Sequence, residues 1–299
     1  LPVKAASIGP EGRQGSPAAS FRWWILRHNL GDNRTGGSVM AVSVDLNSDL
    51  GEGFGAWRMG DDALIMDHVT SVNIACGFHA GDPEIMITTV EGALRKGIAL
   101  GAHPGYPDLA GFGRREMGCT PGEIHAFCLY QVGALSAIAR SRGGRLRHVK
   151  AHGALYNRGA GDEAAAGAIV RAARDLGEEL IIVGPHGSCF EKACREEGLP
   201  FAAEAFADRA YTPKGTLVPR SVPGSVIEDP REAASRAVRM VLEGKVTALG
   251  GEDLPLRADT ICLHGDTPGS AAMAAIVRSS LEKAGVRVLP LGAFLRGAP

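Results

Sequence analysis

Three pairs of reactive or polar side chains, each separated by one residue, recur along the chain: Asp45 with Asn47, Lys150 with His152, and His264 with Asp266. Asn73, His79, His103, Tyr106 and Glu204 add amides, imidazoles, a phenol and a carboxylate. Brought together in one cleft, such groups supply a general base, a general acid and a clamp for an oxyanion, which is what hydrolysis of a carbonyl compound needs. The same Asp and His residues could hold a divalent metal, with Asp45, His79 and His103 the first candidates. No H-E-x-x-H or similar spacing singles a metal out. The absence of G-x-x-x-x-G-K-[ST] excludes a P-loop as the means of holding ATP, and no G-x-G-x-x-G stands at a strand-to-helix turn.

The elements that must position these residues follow one plan. From Asn73 to Tyr106 the chain reads as a strand, a polar Gly-rich loop with His79 and Asp82, a helix opening at Pro83, a second strand, and a loop beginning at His103. Strands are expected at Val42 to Asn47, Ser71 to Cys76, Ile98 to Ala102, Leu146 to Lys150, Leu180 to Gly184, Phe201 to Glu204 and Thr260 to Leu263, with a last short piece at Val286 to Leu289. Helix starts are signalled by Asp82-Pro83-Glu84, by the capping box Thr120-Pro121-Gly122-Glu123, by Asp162 and by Asp229-Pro230. A small hairpin is expected across Val246 to Leu256, turning at Gly250-Gly251. This alternation predicts one parallel α/β domain, a closed or nearly closed barrel, with an open doubly wound sheet as the other possibility. The candidate residues all fall at strand C-terminal ends, where such folds bind ligands. Side chains on a strand repeat with period two, so each of the three pairs shares a face.

Plainer readings apply to several residues. Asp82 and Asp229 are adequately explained as helix caps. A lone loop histidine such as His79 can merely bond nearby backbone. Lys150 and Glu204 can form a structural ion pair inside the barrel. Cys76 reads as a small buried residue rather than a nucleophile, and His28, His68, His125 and His148 as structural or surface residues.

The totals narrow the class. A chain of 299 residues with 32 basic and 33 acidic side chains has no net charge that would favour nucleic acid or an anionic membrane. No apolar run reaches the length of about 20 residues that spans a bilayer. Six cysteines without a C-x-x-C pair read as reduced thiols of a cytoplasmic protein. Residues 1–39 lack periodicity despite Trp23 and Trp24, and read as a disordered leader or an upstream extension outside the natural product. Residues 40–299 read as the single catalytic domain. The Pro- and Gly-rich segment Phe206 to Ser221, with Arg209, Lys214 and Arg220, reads as either a lid or partner-docking surface or an ordinary solvated loop.

At this point the chain resembles a known family. The segments D-L-N-S-D-L-G-E-G-F-G (45 to 55), W-R-M-G-D-D (57 to 62), N-I-A-C-G-F-H-A-G-D-P (73 to 83), G-A-H-P-G-Y-P-D-L-x-G-F-G-R-R (101 to 115), H-G-A-L-Y-N (152 to 157), F-A-D-R-A-Y (206 to 211), G-T-L-V-P-R-S (215 to 221) and H-G-D-T-P-G (264 to 269) are similar to those of the LamB/YcsF family. The resemblance implies a seven-stranded parallel (β/α) barrel of the glycoside hydrolase/deacetylase type. It also implies ATP-dependent opening of 5-oxo-L-proline to L-glutamate, together with the B and C subunits of a prokaryotic 5-oxoprolinase, with the ATP held either by this chain or by those partner subunits. Asp45 is then the expected base, His103 or His264 the proton donor, and Lys150 with loop amides the electrostatic clamp for anionic groups, with His152 and Asp266 beside them. Asn47, Glu52, Asn73, His79, Tyr106, Tyr156, Glu204 and Arg209 are the expected substrate contacts. The alternative is a metal-dependent deacetylase-like hydrolase acting alone on an amide or acylated sugar. One departure stands out: Ala151 replaces the proline usual in the family's K-P-H-G run.

Overall fold

A computed structural model describes residues 41–263 and 269–295. The expected leader, His264 and Asp266 lie outside the described residues. Strand β1 (Ser43–Leu50) pairs in parallel with β2 (Ser71–Ala75), followed around the sheet by β3 (Ala99–His103), β4 (Leu146–Lys150), β5 (Ile181–Pro185) and β6 (Phe201–Phe206). The antiparallel hairpin β7 (Lys245–Thr247) and β8 (Asp253–Pro255) stands apart, as expected. Strand β9 (Thr260–Cys262) then pairs with both β6 and β1, so the seven parallel strands close into a barrel and the open-sheet alternative falls. A short strand, β10 (Arg287–Val288), adds to the start of β1.

The helices sit where their start signals put them. Asp82 accepts from the N–H groups of Glu84 and Ile85 and caps α2 (Pro83–Arg95), which follows the one-turn helix α1 (Asp62–Ile65). Thr120 and Glu123 form the reciprocal capping box of α3 (Pro121–Ser141). Helix α4 (Gly153–Gly161) is not legible in the sequence, because its three glycines depress helix propensity. Packing overrides that penalty: a Cβ on Gly159 would lie 2.4 Å from the Phe190 ring, so glycine there admits the phenyl group. Asp162 caps α5 (Glu163–Asp175), α6 (Cys189–Glu197) ends at left-handed Gly198, Asp229 caps α7 (Pro230–Glu243), and α8 (Ser270–Lys283) completes the set.

Two strands run farther than their sequences signal, and both extensions matter. Strand β1 continues through Ser48, Asp49 and Leu50, and β6 through Ala205 and Phe206. Outward residues such as Val44, Leu46 and Val72 are buried against the helices. The inward face is polar and joined across the barrel. Asp45 accepts from the hydroxyls of Thr70, Ser71 and Thr260 at 2.7, 2.6 and 2.6 Å. In the next layer the Asn47 amide N–H donates to Glu204 and Thr260, and His148 Nε2 lies 2.7 Å from the Asn73 amide oxygen. His148 thus belongs to the barrel interior, and Gly101 makes room for its ring.

Candidate active site

Asp49, which follows Asp45 and Asn47 on the inward face of β1, sits at the strand's C-terminal end and organises the mouth. Its Oδ1 accepts from Lys150 Nζ at 2.8 Å and from the Asn73 amide at 2.7 Å, while its Oδ2 lies 3.3 Å from His103 Nε2. Lys150 Nζ also contacts Glu204 Oε1 at 2.9 Å and Cys262 Sγ at 3.1 Å, and the Tyr156 hydroxyl donates to Glu204 Oε2 at 2.8 Å. Burial alone would lower the Lys150 pKa, but Asp49 and Glu204 outweigh it and hold the ammonium well above its ordinary range. Burial, reinforced by Glu204, pushes the Tyr156 phenol well up. The site therefore presents a fixed cation beside a carboxylate with one oxygen turned to the histidines.

Those histidines come from the C-terminal ends of three successive strands and the loops that follow them. His79 follows β2, His103 ends β3 and His152 follows β4. The His79 and His152 rings stack in parallel planes 3.7 Å apart, and His103 meets His152 edge-on. A Cβ on Gly113 would come within 2.8 Å of His79 and 2.9 Å of His152, so this position needs glycine on contact grounds as well as for its φ of +61°. Phe112 is the non-glycine residue with positive φ among the described residues, and its carbonyl accepts from His152 Nε2 at 2.8 Å. Strain held at that point aims a side chain. The His152 backbone N–H also donates to the Pro104 carbonyl, so the loop is held although Ala151 replaces the family's proline. Burial, then the neighbouring imidazoles, keep His79 well below the usual histidine range; burial and His103 push His152 down to about 3. With Glu52, the three histidines place their ligand atoms within 4.8 Å of one another, a cluster that could hold a metal ion.

Above this floor lies a cavity of about 630 Å³ lined by Asp49, Glu52, His103, Lys150 and His152, with Tyr156, Glu204 and Arg209 along one wall. The end of β6 and the irregular segment after it also line the cavity, through Phe206, Arg209, Tyr211 and residues 214–220. Arg209 is buried and donates to the carbonyls of Ser225 and Val218, so its guanidinium pins that segment as well as facing the cavity.

Several expected residues take other places. Asp45 lies below the mouth, closed in by three hydroxyls, and does not line the cavity; burial raises its pKa to about 6 despite those hydroxyls. The base and metal-ligand roles expected of Asp45 therefore do not fit its position, and Asp49, two turns of the strand pleat farther on, is the β1 carboxylate that lines the cavity. Tyr106, an expected substrate contact, is fully buried away from the cavity, with its hydroxyl 3.4 Å from Arg158. Asn47 and Asn73 support the carboxylates from beneath instead of facing the cavity. Cys76 is buried with its thiol pushed up to about 12 by burial, which fits a packing role. Asp49 escapes any reading of the sequence that ends the first strand at Asn47. The period-two series Asp45, Asn47, Asp49 carries the missing signal.

A family model described as the LamB/YcsF family matches residues 44–296, the whole of the barrel. The chain belongs to the LamB/YcsF family. It is 53% identical over 259 residues to a protein of Methylococcus capsulatus named as the A subunit of 5-oxoprolinase, covering 87% of this chain and 100% of that one. A Pyrococcus furiosus protein of the same name is 50% identical over 255 residues, covering 85% and 100% of the two chains. Among solved structures, a lactam utilization protein from Thermus thermophilus is 50% identical with a TM-score of 0.79, covering 83% of this chain and 99% of that one. LamB/YcsF motifs thus converge on one end of the barrel: Asp49 and Glu52 from the first, His79 from the third, His103 from the fourth, and His152 with Tyr156 from the fifth.

Proposed function

We propose that this barrel opens the ring of 5-oxo-L-proline to give L-glutamate, as one component of an ATP-dependent 5-oxoprolinase working with B and C subunits. The observation that carries this reading is the Lys150–Asp49–Glu204 cluster at the floor of a mouth cavity, in a chain about half identical, over their full length, to proteins named for that activity. A five-membered lactam is a stable amide, and its opened amine re-attacks the carboxyl group with high effective molarity. Coupling to ATP overcomes that reversal. In this reading the partner subunits phosphorylate the lactam oxygen. The barrel then adds water to the activated carbon, the C–N bond breaks to leave an acyl phosphate, and a second water attacks that carbonyl and displaces phosphate to give the carboxylate. Asp49, steadied by Lys150 and Asn73, takes the proton of the attacking water through Oδ2 and passes it to the leaving nitrogen. The Lys150 ammonium faces the negative charge that develops on oxygen. The cavity is larger than a lactam alone requires, which suits a phosphorylated substrate.

The test is glutamate release from 5-oxoproline and ATP, by this chain alone and with its B and C partners. Release only from the mixture is the expected outcome. A competent mixture in which this chain adds nothing would overturn the reading. A second reading, a metal-dependent amide hydrolase needing no partner, is favoured by the Glu52, His79, His103 and His152 cluster. It requires activity from the chain alone that is lost to a chelator and restored by Zn²⁺ or Mn²⁺.

A further inference from the structure

His103 and His152 each have one ring nitrogen committed to a backbone carbonyl. His103 Nδ1 lies 2.7 Å from the Lys150 carbonyl and His152 Nε2 lies 2.8 Å from the Phe112 carbonyl. A carbonyl only accepts, so each of these nitrogens carries the hydrogen and the other nitrogen of each ring carries a lone pair. Those two lone-pair nitrogens, His103 Nε2 and His152 Nδ1, face each other at 3.0 Å. Carboxylate oxygens close the same spot: Glu52 Oε1 is 3.5 Å from His152 Nδ1, and Asp49 Oδ2 is 3.3 Å from His103 Nε2. The two imidazole lone pairs face each other with carboxylate oxygens beside them, which is repulsive unless a proton or a metal cation stands between the rings. His79 adds a second, independent sign. It is fully buried, and both of its ring nitrogens lack a hydrogen-bond partner, although Nε2 points to Glu52 at 3.7 Å. A buried polar atom left unpaired costs free energy that a ligand would recover.

We propose that Glu52, His103 and His152, with His79 as fourth ligand, form a binding site for a divalent first-row transition-metal ion at the floor of the cavity. Tetrahedral ligands about 2.1 Å from such an ion stand about 3.4 Å apart. The separations of 3.0, 3.5 and 3.7 Å bracket that spacing. Carbonyl-anchored N–H groups on His103 and His152 supply the outer-shell support that metal-binding imidazoles require, and the strained Phe112 backbone provides one of them. Three nitrogens and one oxygen select an ion of the zinc class over Mg²⁺ or Ca²⁺, which take oxygen ligands. Since His79 and His152 lie in parallel planes, His79 must tilt out of the stack to complete the set, leaving a three-ligand site until it does. The inference stands on ligand geometry and holds whichever carbonyl substrate the cavity accepts.

The experiment is metal analysis of the full chain purified without chelator, followed by titration of the stripped protein with Co²⁺ alone, read by its visible d–d absorption, and with Zn²⁺ alone by calorimetry. One ion per chain is expected, with Zn²⁺ affinity falling about tenfold or more in His152→Ala and in Glu52→Gln. His125→Ala, a surface imidazole paired with Asp175, serves as the control and should bind as the wild type does. Circular dichroism shows which variants remain folded, and Glu52→Gln, which changes no volume, keeps the test decisive if a histidine variant does not fold. The proposal is overturned if the folded wild type shows no saturable Zn²⁺ or Co²⁺ binding, the outcome expected of a proton shared between His103 and His152. It is equally overturned if binding persists unchanged in both variants. Either result leaves the lactam assay with partner subunits unaffected, so the two readings fail separately.

Discussion

Replacing Lys150 with Met removes a cation that is 3% exposed and stands 2.8 Å from Asp49 and 2.9 Å from Glu204. At an effective dielectric constant of about 20, one unit charge pair at such a separation interacts by about 6 kcal/mol. Desolvation of the three groups offsets most of that attraction, yet removing one partner leaves the carboxylates buried and uncompensated. Breaking a buried pair in this way costs about 3–5 kcal/mol. That is a large part of a total stability of about 5–15 kcal/mol, and in a chain of this size it lowers Tm by about 10 °C. Urea unfolding followed by circular dichroism measures the loss. Adding Glu204→Gln to Lys150→Met should recover at least half of it, since the amide still accepts from Tyr156 and Asp49 opens to the cavity. The pH dependence has a definite sign. The Lys150 pKa is raised in the folded state, so its contribution is complete below the unfolded lysine value of about 10.4 and disappears as pH rises beyond that. The difference between wild type and variant should therefore stay constant from neutral pH to about 9 and shrink in stronger base. A Lys150→Met protein within about 1 kcal/mol of wild type, with an unchanged m-value, would refute the argument.

Three further outcomes follow. Asp49→Asn should lower turnover by about 100-fold or more, whereas Asp45→Asn should stay within a few-fold of wild type in the same partner-supplemented assay; the reverse order would return the base to Asp45. Because burial raises the Asp45 pKa from 3.8 to about 6, the folded state binds the extra proton in between, and stability falls as pH rises through that window by about 3 kcal/mol. The urea midpoint of Asp45→Asn measured against wild type at each pH should therefore improve from about pH 4 to about pH 6 and then level off. Gly101→Ala would set a Cβ 2.0 Å from His148 Nε2 inside the barrel, and should cost about 1–3 kcal/mol in thermal or urea unfolding; an unperturbed melt would show that the ring has room to move.

Much of this molecule is decided locally and is therefore legible in its sequence. The caps at Asp82, Thr120, Asp162 and Asp229 form within a few residues of themselves, so their signatures place helix starts without reference to the rest of the chain. Alternation of strand and helix likewise announces a parallel α/β domain, and the polar residues at strand ends announce the end at which the cavity and its polar groups gather. Three matters lie beyond local rules. Closure depends on β9 finding β1 across more than 200 residues, a pairing that no short-range pattern encodes. Depth along a strand is equally hidden: Asp45 and Asp49 share a face and a chemical type, yet one is sealed under three hydroxyls and the other meets Lys150 and His103. The histidines show the same limit most clearly. His79, His103 and His152 are unremarkable singly, and only the closed barrel, with glycine at 113 and a strained Phe112 carbonyl, brings their nitrogens within reach of Glu52. Sequence determined the groups available and the end of the barrel that holds them. Tertiary structure decided which groups face one another, because distance and burial across strands, not spacing along the chain, set charge, tautomer and contact.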